Sequence, residues 1–165
     1  MNELEKIYVE IQPRIFAFFY VKTTDSAIAE DLTHDVFYHA LKGFSSFQGK
    51  SSIQTWIFSI AQNVLKKYYR SKKYYRNLEN MLTEDQNPVP PSPEDLYILK
   101  EINLEFAKHM DKLDDISKEI VILRIYGELS FQEIGELLGK SENYTRVTFH
   151  RAKIKLQKEM RSKDE

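Results

Sequence analysis

The sequence predicts an all-α protein of two small helical domains joined by a proline-rich acidic linker. Three observations carry this expectation. Apolar residues recur at spacings of three and four, the period of a helix buried on one face, in segment after segment. No run long enough for a strand alternates apolar with polar residues. Four of the five prolines fall within residues 87–93, where they remove backbone donors and disfavour helix.

The first helix is marked by Leu4, Ile7, Tyr8, Ile11, Ile15, Phe18 and Phe19, with a kink or break expected near Gln12 because Pro13 follows it. Asp25 is the expected N-cap of a second helix that runs to Lys42 and stops at Gly43. Residues 44–52 form a short aromatic, serine- and glycine-containing loop. Ile53, Trp56, Ile57, Ile60, Ala61, Val64, Leu65 and Tyr68 give a third helix the most regular apolar stripe in the chain. Residues 79–93, with five acids and no base between 79 and 95, are the linker. Domains at 1–78 and 94–165 follow. In the second, Leu96, Leu99, Ile102, Phe106 and Met110 mark a fourth helix, and residues 116–126 a fifth that ends at Gly127.

Residues 130–160 hold the most specific local pattern. Ser130-Phe131-Gln132-Glu133 has the form of a capping box, in which the serine hydroxyl takes the N3 amide and Glu133 reaches back to the cap amide. Ile134, Leu137 and Leu138 supply the apolar face of a short helix. Gly135 stands where two helices must approach closely, and Gly139 where a positive φ closes the turn. Ser141 caps a second helix, with Val147, Ile154 and Leu156 beside Arg146, Arg151, Lys153 and Lys155. Cap, short helix, glycine turn, cap and basic helix is the geometry that lays a second helix in the major groove of duplex DNA.

The charge distribution agrees. The net charge is only −1, yet residues 66–76 (KKYYRSKKYYR) carry six bases and no acid, and residues 140–163 carry eight bases against Glu142 and Glu159. Phosphates respond to local potential within about 8–10 Å, so two basic patches bind them despite overall neutrality. The longest apolar stretch, residues 15–21, is too short to cross a bilayer, no signal-peptide pattern opens the chain, and the absence of cysteine fits a reducing cytoplasm. An enzyme acting on DNA would need a nucleophile or metal cluster. The four histidines are scattered, and Asp31 and Asp35 share a helix face without a third ligand nearby. No cofactor, metal site, catalytic residue or small-molecule substrate is expected.

Residues 113–139, continuing through 150–156 (HRAKIKL), resemble region 4 of the extracytoplasmic-function (ECF) sigma factors of bacterial RNA polymerase. Residues 29–37 (AEDLTHDVF) resemble region 2.2 of the same family, and residues 44–63 (FSSFQGKSSIQTWIFSIAQN) its regions 2.3 and 2.4. The resemblance implies a dissociable polymerase subunit that selects promoters and catalyses no covalent step. Its C-terminal domain would read the −35 element as duplex, and its N-terminal domain would hold the core enzyme and capture the unpaired −10 strand.

The family alignment places Arg146, Thr148, His150 and Arg151 toward −35 bases, and Ser141, Tyr144 and Lys153 are expected on backbone phosphate. Thr145 departs from the family, which usually puts an apolar β-branched residue there. For the −10 strand the resemblance implies Phe47, Gln48, Gly49, Lys50, Ser51, Ser52 and Asn63. Phe47 is either a stacking platform or an aromatic plugging the core, and Asn63 either a base contact or a surface amide. Lys66, Lys67, Arg70, Lys72 and Lys73, interleaved with tyrosines, would attract the adjacent strands, while Trp56 belongs to the core stripe. The polymerase patch is expected at Asp31, Leu32, Asp35, Val36 and Phe37. Partners are core polymerase and promoter DNA, and family members are often held inactive by an anti-sigma factor. The rival reading is a helix-turn-helix repressor or activator that binds promoters without core polymerase.

Overall fold

The computed structural model describes residues 2–82, 93 and 104–162. Seven α-helices and two short 3₁₀ turns occur among these residues, and no strand. Helices α1 (Glu3–Thr23), α2 (Ser26–Gly43) and α3 (Ile53–Leu82) form the N-terminal domain. Helices α4 (Leu104–His109), α5 (Asp115–Ile125), α6 (Phe131–Leu138) and α7 (Glu142–Ser162) form the C-terminal one.

Local chemistry sets most helix ends. Asn2 and Glu5 make a capping box at the start of α1, a signal that the periodicity reading passes over. Asp25 caps α2 by accepting the Ile28 amide at 3.1 Å, and Asp114 caps α5 by accepting the Ser117 amide at 2.8 Å. That amide bond is also the main reason the Asp114 carboxyl lies below its ordinary pKa.

Two expectations about helix length are corrected. Helix α1 is unbroken through Pro13. Pro13 is solvent-exposed, so the carbonyl that loses its helical partner there can turn to water at little cost. Helix α3 continues past Tyr68 to Leu82, taking residues 79–82 of the expected linker into the helix. Beyond Leu65 the helix leaves the core, and residues 66–78 are exposed except for the half-buried Tyr68. That half is sustained by straight-chain helix formers rather than by an apolar stripe, so periodicity does not register it. The rest of the linker apart from Pro93, and the fourth-helix positions Leu96, Leu99 and Ile102, lie outside the described residues.

The buried side chains form one continuous cluster spanning both domains. In the N-terminal domain Ile11, Ile15, Phe18, Val36, Phe58 and Ala61 pack between the three helices, and Phe18 meets Phe58 edge-on at 5.7 Å. In the C-terminal domain Ile120, Ile122, Leu123, Ile134 and Leu156 do the same work. Helix α6 also packs against α3 and helix α5 against α1, so the domains are docked on each other.

Candidate nucleic-acid interface

The helix-turn-helix forms as its sequence dictates. Ser130 Oγ accepts the Glu133 amide, and the Ser130 amide donates to Glu133 Oε1, each at 3.1 Å. Gly139 ends α6 at φ +69°. A Cβ on Gly135 would lie 2.5 Å from the Lys140 carbonyl oxygen, so the turn can pass over α6 only because that position lacks a side chain. Ser141 Oγ accepts the Tyr144 amide at 3.0 Å and caps α7.

The register of α7 turns on Thr145, the residue that departs from the family's pattern. Its buried stripe is Thr145, Ala152 and Leu156, with Phe149 half-buried beside them, while Val147 and Ile154 are exposed. Thr145 decides this. Its hydroxyl lies 2.8 Å from both the Phe131 and Glu142 carbonyl oxygens, which satisfies the polar group and lets a threonine fill an apolar slot. Val147 therefore joins the outer face, where an apolar side chain suits a thymine methyl. Its one-helical-turn spacing from His150 and Arg151 is the signal that could have found it.

Ser141, Tyr144, Arg146, His150, Arg151 and Lys153 are all exposed on α7, and Thr148 is half-buried at its flank. The two arginines are in different states. Arg146 is paired with Glu142 at 2.6 Å and leans over the Phe131 ring. Arg151 makes no ion pair or hydrogen bond among the described residues, so its guanidinium has no internal partner to give up.

In the N-terminal domain the loop after α2 tightens through a 3₁₀ turn, Phe44–Ser46, and delivers Phe47 onto Trp56 with ring centroids 5.0 Å apart. Phe47 is half-buried, whereas Gln48, Gly49, Lys50 and Ser52 are exposed and Ser51 is partly so. Ser52 caps α3, its hydroxyl accepting the Thr55 amide at 3.1 Å. Trp56, Ser59, Asn63 and Lys66 then repeat at helical spacing, with Lys67 alongside. One stripe thus leads from an aromatic pair through an exposed amide to cations. Trp56 packs against the core but is half-buried at its edge, so it serves both the core and the loop.

The expected polymerase patch separates into two sets. Leu32, Val36 and Phe37 are buried, because they fall with Ala29, Thr33 and Ala40 on the stripe of α2 that packs against α1 and α3. They are core residues and are withdrawn from the patch. Asp31 and Asp35 are exposed, and the same outward stripe continues to Tyr38 and Leu41, 54% and 63% exposed. Leu41 also lines an apolar cleft of about 510 Å³ with Tyr8, Val9, Phe44 and Trp56. The i, i+7 and i+10 spacing of Tyr38 and Leu41 from Asp31 was visible in the sequence.

The two sites meet at one carboxylate. Glu133 Oε2, opposite the oxygen used in its own capping box, accepts the Ser52 hydroxyl at 2.5 Å and the Thr55 hydroxyl at 3.3 Å. Burial pushes the Glu133 carboxyl up. The hydrogen bonds from Ser52, Ser130 and Thr55 outweigh that effect and hold it below the usual glutamate range.

A helical domain with an aromatic loop and basic stripe, docked on a helix-turn-helix domain with an exposed basic helix, defines a two-headed nucleic-acid-binding protein. Comparison with known proteins narrows the class. Residues 7–74 match the family model for Sigma-70 region 2, and residues 104–156 that for Sigma-70, region 4. The RNA polymerase sigma factor YlaC of Bacillus subtilis is 32% identical over 96% of this chain and 92% of its own length. The ECF RNA polymerase sigma factor SigX of the same organism is 27% identical over 93% and 81%. Among solved structures, the sigma factor RpoE in complex with the anti-sigma factor NepR from Bartonella quintana shares the fold, with a TM-score of 0.71 over 98% of each chain at 20% identity.

The chain belongs to the ECF sigma factors of bacterial RNA polymerase, the dissociable initiation factors that recognise promoters. Sigma factors are not enzymes themselves; RNA synthesis is the polymerase's chemistry. No described helix is long and apolar enough to cross a membrane.

Proposed function

We propose that the two domains divide promoter recognition, with residues 94–165 reading the −35 duplex and residues 1–78 capturing the unpaired −10 strand and holding core polymerase. On α7, Arg151, Arg146, Thr148 and His150 face bases, with Val147 as an added apolar contact, while Ser141, Tyr144 and Lys153 hold phosphates. In the N-terminal domain the loop Phe47, Gln48, Gly49, Lys50, Ser51 and Ser52 takes a flipped base. Asn63 reads its edge, and Lys66 and Lys67 draw the strand along α3. Asp31 and Asp35, extended by Tyr38 and Leu41, dock the polymerase through a mixed acidic and apolar face. The protein works in the cytoplasm, where polymerase and chromosome are, and an anti-sigma protein is a further partner, as NepR is for the RpoE of Bartonella quintana.

The observation that carries this reading is the outward basic face of α7, fixed between the Ser141 cap and the Thr145 anchor and set behind a domain whose own basic stripe begins at an aromatic loop. The test is transcription from genomic fragments by core polymerase with and without the purified chain, followed by mapping of start sites. Initiation at discrete sites only when the chain is present is expected. Absence of any chain-dependent run-off product overturns the reading.

A further inference from the structure

We infer that Asn143 determines specificity in the −35 contact, selecting adenine at one base pair by bonding its N6 amine and N7 with the two ends of the carboxamide. The inference deepens the reading of residues 94–165 as the −35 reader and rests on it.

Burial fixes the orientation of α7. Thr145, Ala152 and Leu156 are buried, so the direction opposite Thr145 faces away from the protein. At about 100° per residue, Asn143, Val147 and Ile154 fall within roughly 20° of that direction, and His150 within roughly 40°. Asn143 is exposed, and Val147 and Ile154 are 37% and 54% exposed. Asn143, Val147 and Ile154 are uncharged, and the cations stand to either side of them. Arg146 and Lys153 lie on one flank; Arg151, with Tyr144 and the Lys140 amine over its ring, lies on the other. A helix in a major groove meets base edges along its outermost line and a phosphate backbone on each side. A neutral centre between cationic flanks matches that division.

Asn143 has no evident task within the fold. The cap of α7 is Ser141, whose Oγ accepts the Tyr144 amide at 3.0 Å, so the role that favours asparagine at a helix start is already taken. Past the cap, asparagine is a weak helix former. Its carboxamide makes no hydrogen bond among the described residues. Glu142 beside it is paired with Arg146 at 2.6 Å, which offsets the one acidic charge in this turn.

The carboxamide chooses the base. In the major groove adenine presents a donor, the N6 amine, beside an acceptor, N7, and asparagine offers the matching acceptor and donor in one plane. Guanine presents two acceptors, cytosine one donor, and thymine an acceptor beside a methyl. Each of these leaves one end of the carboxamide unpaired at the interface, which costs binding. Recognition helices reach base edges with their N-terminal residues, and Asn143 is the second residue of α7. Val147 follows one turn later, about 6 Å along the axis. The adenine therefore lies within about two base pairs, at 3.4 Å per step, of the thymine methyl assigned to Val147.

Core polymerase with the full chain tests this on a promoter mapped by the transcription experiment. Each base pair of the −35 segment is changed in turn to the other three, and initiation is measured at subsaturating enzyme. The native chain should prefer adenine at one position by at least about fivefold, the lower end of what a bidentate base contact gives. Asn143→Ala should cut that preference to below about twofold and leave the profile at other positions as it was. Adenine analogues lacking N7 or the N6 amine, placed at that position, should lower initiation by the native chain several-fold and by the Asn143→Ala chain hardly at all.

A base profile unchanged by Asn143→Ala would overturn the inference. So would an equal fall on every sequence, which marks a phosphate contact, or a lost preference for a base other than adenine. A native chain with no base preference anywhere in the −35 segment fails the −35 reading itself. A profile that Arg151→Ala flattens and Asn143→Ala does not fails the assignment of Asn143 alone.

Discussion

The two proposed reading heads begin alike and are held differently. Helix α3 starts at Ser52 and helix α6 at Ser130, each serine capping its own helix through the amide three residues on. The helix-turn-helix is then fixed by neighbours in sequence: its capping box, the Gly135 and Gly139 turn, and the Ser141 cap all lie within twelve residues. The proposed −10 loop is held from far along the chain, by Trp56 under Phe47 and by Glu133 reaching across 81 positions to Ser52. Local contacts give a head that is rigid by itself. Long-range contacts give one whose setting depends on where the other domain sits.

Substitutions put that contrast to the test. The largest expected effect is Gly135→Ala, which places a Cβ 2.5 Å from the Lys140 carbonyl. It should destabilise the C-terminal domain by about 2–3 kcal/mol, an overpacking cost against backbone, with helix-turn-helix amides losing protection in hydrogen exchange while those of α1 and α2 keep theirs. Equal loss in both domains would mean that the head is not locally determined. Next is Arg151→Ala, which should weaken a matched −35 duplex by about 1–3 kcal/mol and leave a scrambled duplex nearly unchanged in fluorescence anisotropy. An equal drop for both would make Arg151 a phosphate contact.

Phe47→Ala should reduce permanganate reactivity of the −10 strand in open complexes by an amount equivalent to about 1–2 kcal/mol, the worth of one stacked base, with −35 affinity untouched. Normal opening would assign Phe47 to the core edge alone.

Acid should act on the shared carboxylate. Because Glu133 is held below the usual glutamate pKa, its contribution to stability is present above the unfolded value of about 4.3 and is lost as pH falls through the lower folded value. Glu133→Gln should flatten that part of the stability-versus-pH curve and weaken the cap by about 1 kcal/mol. A curve of unchanged shape would show that another group titrates there. The smallest effect is Thr145→Val, which keeps the packing and removes one hydroxyl. A change below about 1 kcal/mol in thermal unfolding is expected, and a larger one would mean that the Phe131 carbonyl depends on that bond.

Much of this protein was legible in its sequence, and for a consistent reason. Helix class, the Asp25 and Ser141 caps, the capping box at Ser130 and the positive φ at Gly139 are set by residues within four positions of one another, so pattern and chemistry coincide. Burial was legible only where the apolar stripe was unambiguous. Leu32, Val36 and Phe37 could have been assigned to the core from their spacing with Ala29 and Ala40, and the acidic residues between them obscured it. Val147 and Thr145 could not be separated by hydropathy, because a threonine is buried only if a carbonyl awaits its hydroxyl, and that carbonyl belongs to Phe131, fourteen residues earlier.

Short-range patterns alone specify two helical domains, a helix-turn-helix with a basic second helix, and an aromatic loop ahead of a basic helix. Packing between distant segments sets which face of α7 looks outward, which residues of α2 a partner can touch, and that Glu133 serves two serine caps at once. Caps and turns are short-range and repeat in any chain that carries them. The meeting of Ser52 with Glu133, Lys22 with Glu119 and Phe58 with Gly127 requires distant segments to be packed together, and no local pattern encodes that distance.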